Sequence, residues 1–125
     1  MPKIDYNALG QAIDTTWGRA STPKMASYSV KFTLAGDVLT ASYQAVVNFA
    51  SEKEMIMMNR MYEEESSDII QAVLKSVKAV YKDLSGSTLT TKEHSTNTSV
   101  EIIGVNVHNP KRTAYFRRKT AFEIA

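Results

Sequence analysis

Two histidines, one run of carboxylates and one basic, aromatic chain end are the residues of this sequence whose types and spacing bear most directly on chemistry. His94 and His108 fall in or beside different predicted strands, and no HxxxH or HExxH spacing sets a second ligand beside either, so no metal site is expected. Glu63, Glu64, Glu65 and Asp68 stand close enough to include a general-acid pair, but a carboxylate run of this kind is ordinarily a solvated helix N-terminus favoured by the macrodipole. The chain has no cysteine, which removes the thiol nucleophile, the disulfide framework and the Cys-ligated zinc or iron–sulfur site together. It has only five glycines and no G-x-S-x-G, GxxxxGK[ST] or GxGxxG pattern, so the backbone requirements of a nucleophile elbow or a phosphate-cradling loop are not met. The expectation is a chain with no catalytic residues, no cofactor and no metal.

The basic end reads "PKRTAYFRRKTAFEI" from residue 110 to residue 124. If Pro110-Lys111 forms a turn, Val107 faces Ala114, Val105 faces Phe116 and Ile103 faces Arg118 on one side of a hairpin, and Phe122 and Ile124 extend that side. Asn106 with Tyr115, Gly104 with Arg117 and Ile102 with Lys119 then fill the other side. An aromatic in a row of cations, with Lys111 and Arg112 at the turn, has the chemistry to stack on unpaired bases and attract phosphates. The glycine of the aromatic RNA-recognition strand is missing, and no family is identified on this stretch. The same cations also suit an edge strand that blocks unwanted pairing. Arg118, on the covered side, is expected to pair with a carboxylate among Glu63 to Glu65.

These residues are positioned by elements with clear patterns. Tyr28, Val30, Phe32 and Leu34 alternate, and Gly36-Asp37 offers a two-residue turn, so Leu34 pairs with Leu39, Phe32 with Ala41, Val30 with Tyr43 and Tyr28 with Ala45. Ile69, Ile70, Val73, Leu74, Val77, Tyr81 and Leu84 recur at helical spacing and stop at Gly86. Ser51 with Glu54 matches a capping box, and Met55, Met58 and Tyr62 continue the stripe, so one helix from about 52 to 84 and a break near Glu63 to Ser67 are equally compatible with the pattern, and the state of 52–64 is left ambiguous. Strands are expected at 88–94, 99–108 and 112–124, separated by Ser95-Thr96-Asn97 and Asn109-Pro110. Residues 1–26 read as an arm, in which Tyr6, Leu9, Ile13 and Trp17 form an amphipathic helix started by Asp5 and stopped by Gly18, joined by a linker to a domain at 27–125. The fold class expected is α+β, in the order ββαβββ, with an antiparallel sheet packed on one main helix.

At 125 residues with 43% hydrophobic content, the chain is sized and composed for a single core. A net charge of +2 excludes an argument for nucleic acid from the total alone. No signal-peptide pattern opens the chain and no apolar run reaches membrane-spanning length, so no membrane partner and no signal-peptide secretion are expected. Met55, Met57, Met58 and Met61 point around most of a helix, and a helix apolar on so many sides needs burial on more than one of them. Together with Tyr6, Leu9, Ile13 and Trp17, they are the residues expected at a subunit contact. The function expected is a non-catalytic assembly subunit of a homo-oligomer or larger particle. A virion, phage included, suits the small size and the missing enzyme signature, and the location expected is cytoplasm or virion. The alternative is a single-stranded nucleic-acid-binding module using Lys111, Arg112, Tyr115, Arg117 and Lys119.

Overall fold

The alternating stretch around Gly36 folds as its pattern dictates. In the computed structural model, which describes residues 4–14, 17–19, 25–49, 51–105 and 112–124 and leaves aside the side chains of 17–19, 25–27 and 103–105, strands β2 (Met25–Ala35) and β3 (Val38–Phe49) form an antiparallel hairpin. Its register is the one the alternation requires: Leu34 opposite Leu39, Phe32 opposite Ala41, Val30 opposite Tyr43 and Tyr28 opposite Ala45. Gly36 takes φ 60°, the left-handed value that the turn needs and that a side chain would resist.

Helix α2 (Glu52–Ser85) is continuous over 34 residues, which settles the ambiguity at 52–64 in favour of a single helix. Ser51 caps it, its hydroxyl accepting from the Glu54 amide at 3.2 Å, and Gly86 closes it at φ 74° with its N–H donating to the Lys82 carbonyl. At about 1.5 Å per residue it is roughly 50 Å long. Met58, Tyr62, Ser66, Ile70, Val73, Leu74, Val77 and Tyr81 form its buried stripe.

Among the described residues, five strands form one antiparallel sheet in the order β1-β2-β3-β5-β4, with β1 (Trp17–Arg19), β4 (Thr91–Val105) and β5 (Arg112–Ile124) completing it. One face carries Phe32, Leu39, Tyr43, Val47, Ala114, Phe116 and Phe122 into the core beneath α2. Aromatic rings link the layers: Tyr28 stacks on Tyr43 at 5.8 Å, Tyr43 meets Phe116 edge-on at 6.1 Å, and Phe116 meets Tyr62 of α2 at 6.0 Å. Among the described residues, no helix packs on the opposite face. The α+β class, with the sheet packed on one main helix and a helix ahead of it, is as expected from the sequence.

Three local expectations are corrected. The N-terminal helix α1 (Tyr6–Ile13) starts at Asp5, whose side chain accepts from Asn7 and Ala8, but it ends at Asp14 instead of running to Gly18. Trp17, which the sequence reading placed on that helix, instead opens β1, pairing with Val30. Residues 88–94 and 99–108 are not two strands with a turn at Ser95-Thr96-Asn97: β4 runs unbroken through those residues. Its ladder to β5 overrides the local turn signal and absorbs the irregularity as register shifts between Glu93 and Ser95 and between Ile102 and Gly104.

The third correction is the register of the last hairpin. Val105 lies opposite Arg112 and Val100 opposite Phe116, so the pairing projected from a turn at Pro110-Lys111 is displaced. The expected turn at Pro110-Lys111 falls on residues 106–111, outside the described set.

Helix α1 is docked. Ala8, Leu9 and Ala12 are buried in the common core, the Tyr81 hydroxyl accepts from the Asp5 amide at 3.1 Å, and the Tyr6 hydroxyl donates to Asp37 at 2.8 Å. The amide of Ile124 donates to the Asp37 carbonyl at 2.9 Å, so the β2–β3 turn is a tie point for α1 and for the end of β5.

Candidate functional site

The methionine-rich start of α2 divides by helical geometry. Met58 faces the sheet with Tyr62 and is buried, and Met55 is half-buried beside Val100 of β4 in a shallow depression that Ile56 and Asn59 also line. Met57 and Met61, one turn apart, point outward at 61% and 58% exposure, and Ile56 is 63% exposed. Lys53, Arg60 and Glu64 share this outward side and are exposed as well. The four methionines of the sequence reading are therefore two inward or half-buried residues and two that stand in water. Ile56 was missed because its apolarity alone does not tell which way it faces.

The N-terminal residues read with them sit elsewhere. Leu9 is fully buried inside the fold, and Ile13 packs partly against the core. Tyr6 is exposed but held by Asp37, and that hydrogen bond, ahead of slight desolvation and the Asp37 charge, raises its hydroxyl above the ordinary tyrosine value. Trp17 pairs in β1, and its side chain is outside the described set.

The basic row is assembled by β5 on the open face of the sheet. Tyr115, Arg117 and Lys119 alternate along it, flanked by Val46, Gln44 and Ser42 of β3 and by Glu101, Ser99 and Asn97 of β4. The displaced register replaces the expected partners Asn106, Gly104 and Ile102 and brings in a carboxylate. Arg117 Nη1 lies 2.9 Å from Glu101 Oε2, and the Arg117 guanidinium sits 5.0 Å from the centroid of the Tyr115 ring. The ring thus carries its own chain's cation, and that cation has its counter-ion. Asn97, Ser99, Arg117 and Lys119 line a shallow depression of about 240 Å³. Arg112 lies opposite Phe49, a residue of the covered face, and so leaves the row, while Lys111 falls outside the described residues.

Arg118 turns under α2 as expected, but its partner is different. Arg118 Nη1 donates to the main-chain carbonyl of Glu63 at 2.9 Å, and the Glu63 carboxylate accepts from Thr98 at 3.3 Å. A carbonyl also accepting from the Ser66 hydroxyl at 2.9 Å meets the guanidinium because Ser66, with no exposed surface, lets this turn of the helix approach the sheet. Arg118 Nε is buried and has no hydrogen-bond partner among the described residues.

For catalysis the described surface offers little convergence. His94 Nδ1 lies 3.3 Å from Glu123 Oε1, both exposed, and among the described residues no group of three or more potential ligands is placed to hold a metal. A depression of about 390 Å³ between α1 and β2 has Asp14 and Lys31 as its ionisable lining and no nucleophile paired with a base. Among the described residues the most perturbed titratable group lies in the core: burial, reinforced by Glu65, Tyr62 and Tyr28, pushes the Tyr43 hydroxyl far above the ordinary tyrosine range. Among the described residues no helix is long and apolar enough to cross a membrane. No protein-family model, no curated protein and no solved structure matches the chain.

Proposed function

We propose that this protein is a non-catalytic assembly subunit that associates through the outward face at the start of α2, in a homo-oligomer or a larger particle such as a virion. The observation that carries this reading is the exposure of Ile56, Met57 and Met61, at 63%, 61% and 58%, within six residues of one helix. Single apolar side chains on a surface need no explanation, whereas three grouped on one stretch of helix suit a contact. Methionine suits it, because an unbranched thioether repacks against whatever shape it meets. Sedimentation or light scattering over a range of concentrations tests the reading. The wild type is expected to associate, and Met57→Glu with Met61→Glu is expected to give a folded monomer. A wild type monomeric at every concentration overturns it.

A second reading, single-stranded nucleic-acid binding, draws on Tyr115, Arg117 and Lys119 sharing the open sheet face. It ranks lower because Glu101 neutralises Arg117 and the guanidinium occupies the Tyr115 ring. Fluorescence anisotropy with labelled single-stranded DNA and RNA is expected to give no binding at physiological salt. Micromolar, salt-sensitive binding abolished by Tyr115→Ala would reverse the order of the two readings.

A further inference from the structure

The outward side of α2 is arranged so that it complements itself. Lys53, Met57, Arg60 and Glu64 follow one another at intervals of four, three and four residues, the spacing that keeps side chains on one stripe of a helix and lets two helices run side by side. All four are exposed. Ile56 and Met61, exposed at 63% and 58%, flank the stripe on its two sides. The charge at one end of the stripe is positive and the charge at the other is negative.

We infer that two copies of this chain pair through this stripe, antiparallel, about a twofold axis that crosses α2 between Met58 and Asn59. The inference rests on the assembly reading and adds its partner and its geometry. An antiparallel pairing sets Lys53 of each copy opposite Glu64 of the other, because the two positions are equally far from the axis. The same operation sets Met57 opposite Arg60, whose aliphatic stem covers the thioether while Glu64, four residues on, takes its charge. Both ends of the seam then close with an opposite-charge pair, and Ile56 and Met61 lose water along its sides. A parallel pairing would put Lys53 against Lys53 and Glu64 against Glu64. A closed twofold dimer uses one patch twice, which is what a self-complementary stripe provides. A seam of about three helical turns is short against the roughly 800 Å² per partner of a standard interface, so the dimer belongs to the weak, transient class.

Charge reversal separates this geometry from assembly in general. Lys53→Glu alone places two carboxylates against each other at both ends of the seam, and Glu64→Lys alone places two ammonium groups there. Each is expected to raise the dimer dissociation constant about tenfold or more in analytical ultracentrifugation, with unchanged circular dichroism, since both positions are in water. Mixed in equal amounts, the two variants are complementary at both ends and are expected to recover a heterodimer of wild-type affinity. If the wild type associates but the single variants associate equally well, or the mixture fails to pair, the antiparallel stripe is wrong and the assembly reading stands. If the wild type is monomeric up to about 100 μM, both fall.

Discussion

Tyr43 is the residue at which burial and titration meet most directly. In the unfolded chain its hydroxyl ionises near the ordinary value of 10.0, whereas in the fold burial holds the proton to higher pH. A folded-state value raised in this way gives stability that is complete below about pH 10 and is lost as the pH climbs through the raised value. Urea midpoints measured from about pH 8 to pH 11 are expected to be level and then to fall, and the fall is expected to be shallower in Tyr43→Phe. An equal fall in both proteins would remove Tyr43 as the cause. Leu9 makes the second case at this scale. It has no exposed surface, so Leu9→Ala is expected to cost about 2–5 kcal/mol in denaturant unfolding. A loss below about 1 kcal/mol would mean that the site collapses around the cavity or that α1 is loosely held.

Elements follow the sequence where local signals and tertiary contacts agree, and depart from it where they do not. The two ends of α2 are set locally, by Ser51 and by Gly86. Beyond the adjoining residues, no atom of the described structure lies within 4 Å of the position a Cβ would take on Gly86, so Gly86→Ala tests conformation alone: the left-handed φ of 74° is expected to cost about 1–2 kcal/mol in thermal or urea unfolding. An unchanged stability would show that the last turn frays instead of holding that angle. The middle of α2 is set otherwise. Glu63 to Ser67 carry no strong apolar signal, and the helix continues there because Tyr62 and Ser66 are buried against the sheet while Arg118 binds the Glu63 carbonyl. Strand β4 is the converse case, since Ser95-Thr96-Asn97 is turn-prone by itself and is held extended by its ladder to Ala121, Thr120 and Lys119. The basic row depends on that ladder, because a register displaced by a few residues decides whether Arg117 faces glycine or stands beside Glu101.

At the scale of the whole molecule, the helix ahead of the hairpin is part of the fold. Deleting residues 1–14 removes Leu9 and Ala12 from the core and the Asp5 and Tyr6 ties to Tyr81 and Asp37. The deletion is expected to lower the denaturant midpoint sharply or abolish cooperative unfolding, where a free arm would leave it unchanged. The sequence by itself determined the β2–β3 register, the C-terminal end of α2 at Gly86, the start of α1 at Asp5 and the covered face of β5. Each of these is legible because its cause is local: a period of two, a period of 3.6, a capping side chain or a glycine at positive φ. Only the tertiary structure decided that Leu9 is core, that Met57 and Met61 face water while Met58 does not, and that Arg117 meets Glu101. Those outcomes depend on where one element lies on another and on how a ladder absorbs its irregularities. Such facts arise from contacts between residues far apart in the chain, and no spacing within a single segment encodes them.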